Sequence, residues 1–228
     1  MKKFVYIIPC RKGSKRIINK NFKNFFNSNL TEIAINTILK SGVNKEDIYI
    51  SSDSNKGENI ARKYNINFHQ RDPIYSSDKA TTLSLLKNIL NTYSGFKQYT
   101  YLTLIQPTCP LRRHKDIIDS SNKIIKEDKN SLISISKCSF SHPEYLYYLN
   151  KCQLNKYINN QLDKRSQDMK SVYFRNGAIY ITRIDYLSEF NKIIDNESIT
   201  YHEMPFIRSI NIDNEEEWQL AELIYKSI

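Results

Sequence analysis

The chain has 228 residues, 40% of them hydrophobic and 25% charged, with a formal net charge of +10. That length fits a single domain, residues 1–228, with a sizeable core; no apolar run reaches the length of a membrane span, and the Met1-Lys2-Lys3-Phe4 start lacks the pattern of a secretory signal, so a cytoplasmic protein off the membrane is expected. The cations are scattered among acids, with no Lys/Arg tract and no nucleic-acid-binding signature, so the charge is read as a field that attracts a small anionic substrate, and no nucleic-acid partner is expected.

In chain order, Lys3 to Ile8 reads as a fully buried strand stopped at Pro9. Leu30, Ile33, Ala34 and Ile38 share one helical face, and Gly42 closes that helix. Asp47 to Ser52 is a short strand with a polar end, Ser54 to Tyr64 a helix, and Ile66 to His69 another short strand. Thr82 to Leu90 carries Leu83, Leu86 and Leu90 as a stripe, Tyr99 to Ile105 is a buried strand stopped by Pro107, and Lys115 to Glu127 is a helix. Strands separated by single helices predict an α/β fold with a doubly wound, mostly parallel sheet, which binds ligands outside the carboxyl ends of its strands. Ser131 to Lys137 is a strand. Residues 138–171 are aromatic and polar without helical period and are read as an extended β excursion that packs on a partner chain. Gly177 to Ile181 and Ser209 to Asp213 are expected as strands, and Asn214 to Ile228 as the closing helix.

The chemistry concentrates at the strand ends. After Ile7-Ile8-Pro9, a glycine and a serine, Gly13 and Ser14, sit among Arg11, Lys12, Lys15, Arg16 and Lys20. Backbone N–H groups in such a turn converge on an anion, and the cations add charge, so the turn is suited to phosphate. Neither G-x-x-x-x-G-K-S/T nor G-x-G-x-x-G is present. Ser51-Ser52-Asp53 follows the second strand; there Asp53 or Ser54 suits a helix cap. Gln106, at the end of a buried strand and before a turn fixed by Pro107 and Pro110, presents an amide to the same crevice. An arginine fork such as that of Arg165 or Arg175 suits the two-point grip of a carboxylate. Asn211 and Asp213, sharing one face of a strand, offer the oxygen donors preferred by magnesium (Mg2+), while Asn214 and Glu217 make a capping box for the last helix. Cys10, Cys109, Cys138 and Cys152 lie too far apart for a zinc or disulfide pattern.

In order and spacing these strings resemble the acylneuraminate cytidylyltransferases, which activate sialic-acid-like sugars. Ile8-Pro9, Arg11, Gly13-Ser14-Lys15 and Lys20-Asn21 are similar to that family's I-P-A-R-x-G-S-K-x-x-P-x-K-N, with Cys10 in place of Ala and Ile18 in place of Pro. Arg71 to Thr82 resembles R-P-x-x-L-A-S-D-x-A-S-S, and Leu104 to Arg112 resembles L-L-Q-P-T-S-P-L-R. Arg175-Asn176-Gly177-Ala178-Ile179-Tyr180 resembles R-x-N-G-A-I/F-Y, with Phe174 where arginine is usual. Asn211-Ile212-Asp213 resembles D-I-D. His142-Pro143 lacks the basic residue that follows it in the family.

The resemblance implies a Rossmann-like nucleotidyltransferase that takes CTP and a nine-carbon sugar acid and uses Mg2+. It implies catalytic roles for Arg11, Lys20 and Asp213, and nucleotide contacts from Arg11, Gly13, Ser14, Lys15, Asn21, Arg71, Ala80 and Thr82. It implies sugar contacts from Gln106, Thr108, Arg112, Arg165, Arg175 and Asn176, and metal ligation by Asn211 and Asp213. The 138–171 excursion is then an arm for a homodimer. Legionaminic, pseudaminic and eight-carbon Kdo acids remain alternative substrates, and a basic nucleotide- or nucleic-acid-binding protein without catalysis is the rival from another class.

Overall fold

The protein is described by a computed structural model over residues 3–77, 79–138, 142–158 and 169–227. In chain order its elements are β1 (Phe4–Pro9), a short hairpin of β2 (Asn24–Phe25) and β3 (Ser28–Asn29), α1 (Leu30–Lys40), β4 (Ile48–Ser52), α2 (Asn55–Tyr64), β5 (Asn67–Gln70), α3 (Pro73–Ser76), α4 (Thr82–Thr92), β6 (Tyr101–Leu104), α5 (His114–Lys126), β7 (Ser131–Lys137), β8 (Tyr147–Asn150), β9 (Gln153–Lys156), β10 (Tyr173–Arg183), α6 (Ile184–Phe190), β11 (Ile199–Glu203) and α7 (Glu215–Ser227).

An apolar run buried on both faces belongs inside a parallel sheet, and β1 takes that place. The seven-stranded sheet has the order β11-β7-β10-β6-β1-β4-β5. Only β10 runs against the others. From β1 the chain winds outward through β4 and β5, then crosses back to β6 on the other side. This reversal is the topological switch at which such sheets open a crevice. On one face Val5, Ile7, Leu102 and Leu104 pack against Leu85, Leu86 and Ile89 of α4. On the other, Tyr6, Ile8 and Ile50 pack against α1, α2 and α5 through Ala34, Ile38, Ala61 and Ile117. A third cluster seats Trp218 and Ala221 of α7 on Phe25, Leu30 and Ile33. Each core side chain of this size stabilises the fold by about 1.5–3 kcal/mol through burial.

Several expectations change on folding. Ser209–Asp213 carries no strand ladder; Ile212 N donates one backbone bond to Thr108 O at 2.8 Å. The alternation still holds, because Ile210 and Ile212 join the α7 cluster while Asn211 and Asp213 face away from it. The expected strand at Gly177–Ile181 is the middle of the longer β10, whose register against β7 slips between Arg175 and Tyr180 around Gly177, at φ +80°. β11, α6 and the β2–β3 hairpin were not visible in the sequence pattern. Within the 138–171 excursion, β8 and β9 pair with each other rather than with the main sheet. No helix among the described residues is long and apolar enough to cross a membrane.

Candidate active site

Beyond Pro9 the chain turns across the carboxyl edge of the sheet and is stapled there. Cys10 N donates to Ser51 O (2.9 Å), Lys12 N to Asp53 Oδ1 (2.7 Å), and Asn21 Nδ2 to Arg11 O (3.1 Å). Asp53 therefore holds the basic loop, and it is Ser54 that caps α2, its Oγ accepting from Lys56 N at 3.3 Å. Opposite the loop, Arg71 and the segment leading into α4 form a second wall. The turn after β6 forms the floor, and residues 211–213 close the far side.

The crevice so enclosed measures about 390 Å³. It gathers Arg11, Gly13, Ser14, Lys20 and Asn21 from the loop; Arg71, Ala80 and Thr82 from the second wall; and Gln106, Thr108, Asn211 and Asp213 from the rest. Residues more than 200 positions apart thus meet because the strand ends are neighbours. Thr81, from the Arg71–Thr82 string, lines it as well, while Tyr75, Ser77 and Leu85 line it and were missed. Leu85 was findable, three residues after Thr82 on the same helical face.

Its charge is almost all positive. Arg11 Nη1 reaches the carbonyl oxygens of Ser76 and Ser77, each at 3.4 Å, so the loop touches the opposite wall. Arg71 is buried; its Nε donates to Ser51 Oγ (3.3 Å) and its Nη2 to Ser51 O (2.9 Å). Burial lowers the Arg71 pKa, and the Arg11 charge acts in the same direction. Ser51 Oγ lies 2.9 Å from His69 Nδ1, and His69 Nε2 lies 3.1 Å from Asn88 Oδ1. A consistent relay runs from the Arg71 N–H to Ser51, from the Ser51 hydroxyl to His69 Nδ1, and from His69 Nε2–H to Asn88. It ties Arg71 to α4 through His69, whose pKa burial lowers while the Asn88 hydrogen bond opposes the fall.

Across the crevice the buried Lys20 Nζ donates to Ile212 O (2.6 Å) and to Asp213 Oδ1 (2.9 Å). Arg16 stands 3.9 Å from Asp213 Oδ2. Asp213 is the sole carboxylate lining the crevice among the described residues, and its side chain is half exposed. The expected box between Asn214 and Glu217 forms, with Glu217 N donating to Asn214 Oδ1 (2.8 Å) and Asn214 N to Glu217 Oε2 (3.1 Å). On the floor, a Cβ added to Gly177 would meet Gln106 Oε1 at 3.0 Å and Asn211 Nδ2 at 3.6 Å, so the glycine lets three chain segments close together. Cys109 Sγ lies 3.3 Å from Asn176 O and 3.7 Å from Asn211 Oδ1. Burial pushes its thiol up to about 11 and that of Cys10 up to about 12. Both stay protonated near neutral pH and act as packing groups rather than nucleophiles.

A profile of the family described as Cytidylyltransferase matches residues 5–204, a span that takes in the loop, both walls and the floor. The chain belongs to the cytidylyltransferase family. Among curated members, the N-acylneuraminate cytidylyltransferase of Streptococcus agalactiae is 30% identical over 188 residues, covering 81% of this chain and 45% of that protein. The chain thus spans under half the length of the first curated relatives it matches. The pseudaminic acid cytidylyltransferase of Campylobacter jejuni is 28% identical over 225 residues, covering 96% of this chain and 95% of that one. The solved structure of a CMP:2-keto-3-deoxy-manno-octonic acid synthetase complexed with CTP shares the fold over 100% of both chains, with a TM-score of 0.74 at 14% identity.

Some expected site residues of this cytidylyltransferase lie elsewhere. Lys15 is exposed and does not line the crevice. Arg112 is buried beneath the floor, where its Nη1 donates to Gln106 O (3.2 Å) and Ala178 O (2.8 Å). Asn176 is buried too: Ser134 Oγ (2.6 Å) and Ala178 N (3.1 Å) donate to its Oδ1, and its Nδ2 donates to Ser209 Oγ (2.9 Å). Both sit under the crevice rather than in it: Asn176 lies at the β10 irregularity, and Arg112, on the turn before α5, reaches beneath Gln106 to the β10 carbonyl of Ala178. Arg175 is exposed on β10; after burial, its charge is the next influence on the Tyr180 pKa, opposing the rise. Arg165 lies outside the described residues.

Proposed function

We propose that the chain transfers CMP from CTP to the anomeric hydroxyl of a nine-carbon, sialic-acid-like 2-keto sugar acid and releases pyrophosphate. The observation that carries this reading is the crevice at the sheet's switch point, walled by Arg11, Lys20 and Arg71, residues inside the span matched by the cytidylyltransferase family, with Asn211 and Asp213 just beyond that span. The anomeric oxygen attacks the α-phosphorus, and pyrophosphate leaves as the α–β bridging bond breaks. Such a transfer needs alignment and charge stabilisation more than covalent help. Arg11 and Lys20 offset the charge of the triphosphate, while the backbone around Gly13 and Ser14 offers N–H donors. Gln106 and Thr108 hold hydroxyl or N-acyl groups of the sugar.

Mg2+ belongs to the same proposal. Asp213 and Asn211 line the crevice, offering a half-exposed carboxylate and an amide whose oxygen also takes the Cys109 thiol at 3.7 Å. Magnesium takes one or two carboxylates and completes its shell with water and phosphate oxygens, so this donor set fits a cation that arrives with CTP. Bound there, it would neutralise charge on the leaving pyrophosphate. Lys20, already on Asp213, holds that carboxylate in place.

Homodimerisation completes the reading. The β8–β9 hairpin exposes Leu149 at 75% and Leu154 at 65%, an apolar face suited to a second copy. A cytoplasmic location, where CTP is at hand, belongs to the same reading. Pseudaminic acid is the favoured alternative substrate, since the Campylobacter relative matches nearly end to end.

The test is pyrophosphate release from CTP over a panel of sialic, legionaminic, pseudaminic and Kdo acids. Arg11→Ala should lower turnover by roughly a hundredfold to a thousandfold, the usual result of losing one transition-state donor. Near-normal turnover in that variant, or release with no acid in the panel, would defeat the proposal. A shift of labelled RNA or DNA without pyrophosphate release would favour the nucleic-acid rival.

A further inference from the structure

Ser51, near the end of β4, lies behind the second wall of the crevice, fully buried and outside its lining. Arg71 stands against it, 5% exposed, and does line the crevice. Arg71 makes no ion pair among the described residues; Asp53 offsets part of its charge from a distance. Two of its nitrogens are taken up by Ser51, Nε by the hydroxyl (3.3 Å) and Nη2 by the carbonyl (2.9 Å). The third, Nη1, has no hydrogen-bond partner among the described residues and is not one of the sealed polar atoms. In a residue that lines the crevice, that nitrogen is left open to whatever fills it.

The set of the fork depends on an order of protons. Ser51 Oγ has one proton and must turn a lone pair to Arg71 Nε. Its own proton goes to His69 Nδ1, 2.9 Å away. Nδ1 accepts only while the ring carries its proton on Nε2, and Asn88 Oδ1, 3.1 Å from Nε2, rewards that form. The ring itself is held between β5 and α4. It stands edge-on to Tyr93 with centroids 5.8 Å apart, and Tyr93 Oη donates to Phe68 O at 3.1 Å. Asn88 on α4 thus governs, two side chains away, which groups of Ser51 meet the guanidinium.

We propose that His69 and Asn88 are positioning residues for nucleotide binding: through Ser51 they fix the fork of Arg71 with Nη1 presented to the nucleotide. This rests on the crevice being the CTP site. Neither His69 nor Asn88 lines the crevice, so each acts there only through Arg71. An arginine has several rotatable bonds, and a fork already held in place loses less freedom when the ligand arrives. Asn88 is half-buried, and α4 remains seated by Leu85, Leu86 and Ile89 without it, so its loss should disturb the relay and spare the fold.

The test is a double-mutant cycle read by titration calorimetry with CTP and magnesium. Asn88→Ala should weaken CTP binding roughly three- to tenfold, the worth of about one hydrogen bond. In the Arg71→Ala background the same change should add nothing, because the group it positions is gone, whereas a merely structural Asn88 would cost the same in both. Arg71→Met serves in place of Arg71→Ala should that variant fail to fold, as judged by circular dichroism. Nitrogen NMR of the ligand-free wild type, with the His69 signals assigned by His69→Gln, should show the ring protonated on Nε2. Wild-type affinity in Asn88→Ala, full additivity in the cycle, or a ring protonated on Nδ1 would each overturn the proposal while leaving the crevice as the CTP site. Wild-type protein that binds no CTP would defeat that reading of the crevice, and the positioning role with it.

Discussion

Replacing Asn176 separates a substrate-binding role from a structural one. The side chain is 2% exposed and occupies the β10 irregularity. In Asn176→Ala, Ser134 Oγ keeps its bonds to Ile179 N (2.8 Å) and Ile179 O (3.2 Å), and Ser209 Oγ keeps Pro205 O (3.0 Å). Ala178 N, which donates to Asn176 Oδ1, is left buried without an acceptor. One orphaned donor costs about 1–3 kcal/mol, and the small cavity adds to it. We expect a loss of about 2–4 kcal/mol, which in a chain of this size lowers Tm by roughly 5–15 °C. Urea unfolding gives the stability, and initial rates of pyrophosphate release, taken where the variant is folded, give the kinetics. The sugar-acid KM should move little beyond what displacement of Gly177 and Gln106 produces. A variant with the wild-type urea midpoint and a KM raised tenfold would refute the structural assignment and return Asn176 to the substrate.

Gly13→Ala should leave Tm unchanged, because no protein atom lies within 4 Å of the added Cβ; calorimetry with CTP should nonetheless show weaker binding if the loop wraps phosphate closely. Asp116→Asn should cost about 3–5 kcal/mol by breaking a buried ion pair. Burial pushes the Asp116 carboxyl up, but hydrogen bonds from His202 and Arg208 outweigh that and hold it well below the usual carboxylate range. A depressed pKa contributes stability above the unfolded value, about 3.9, and loses it as pH falls through the folded value. The gap between wild-type and Asp116→Asn urea midpoints should therefore be full at pH 7 and shrink below about pH 4; a gap constant with pH would contradict the assignment. Asp213→Ala should abolish the magnesium dependence of turnover, and an unchanged magnesium response would remove Asp213 from the metal.

The winding of the sheet was legible because its signals are local. Apolar runs such as Phe4–Ile8 and Tyr99–Ile105 can be satisfied only by burial on both faces, and the helices between them carry their own caps and stripes. The basic loop was legible for a similar reason: a strand stopped by Pro9 must be followed by a turn at the carboxyl edge, and its charges lie within a dozen positions. Asn214 and Glu217 cap α7 from sequence neighbours.

What depends on partners distant in sequence had to wait for tertiary structure. A segment such as Ser209–Asp213 alternates like a strand whether or not a ladder stands beside it, and here Ile212 finds just one backbone partner in Thr108. The short β11 exists because β7 offers it an edge. Arg112 and Asn176 have the composition of a binding site, but the irregularity around Gly177 turns Asn176 inward, and Arg112, from the turn before α5, bonds the buried carbonyls of Gln106 and Ala178. Residue type and spacing specify which groups a segment can offer. The direction in which they point is set by register and burial, and those are settled only when strands far apart in the chain exchange hydrogen bonds.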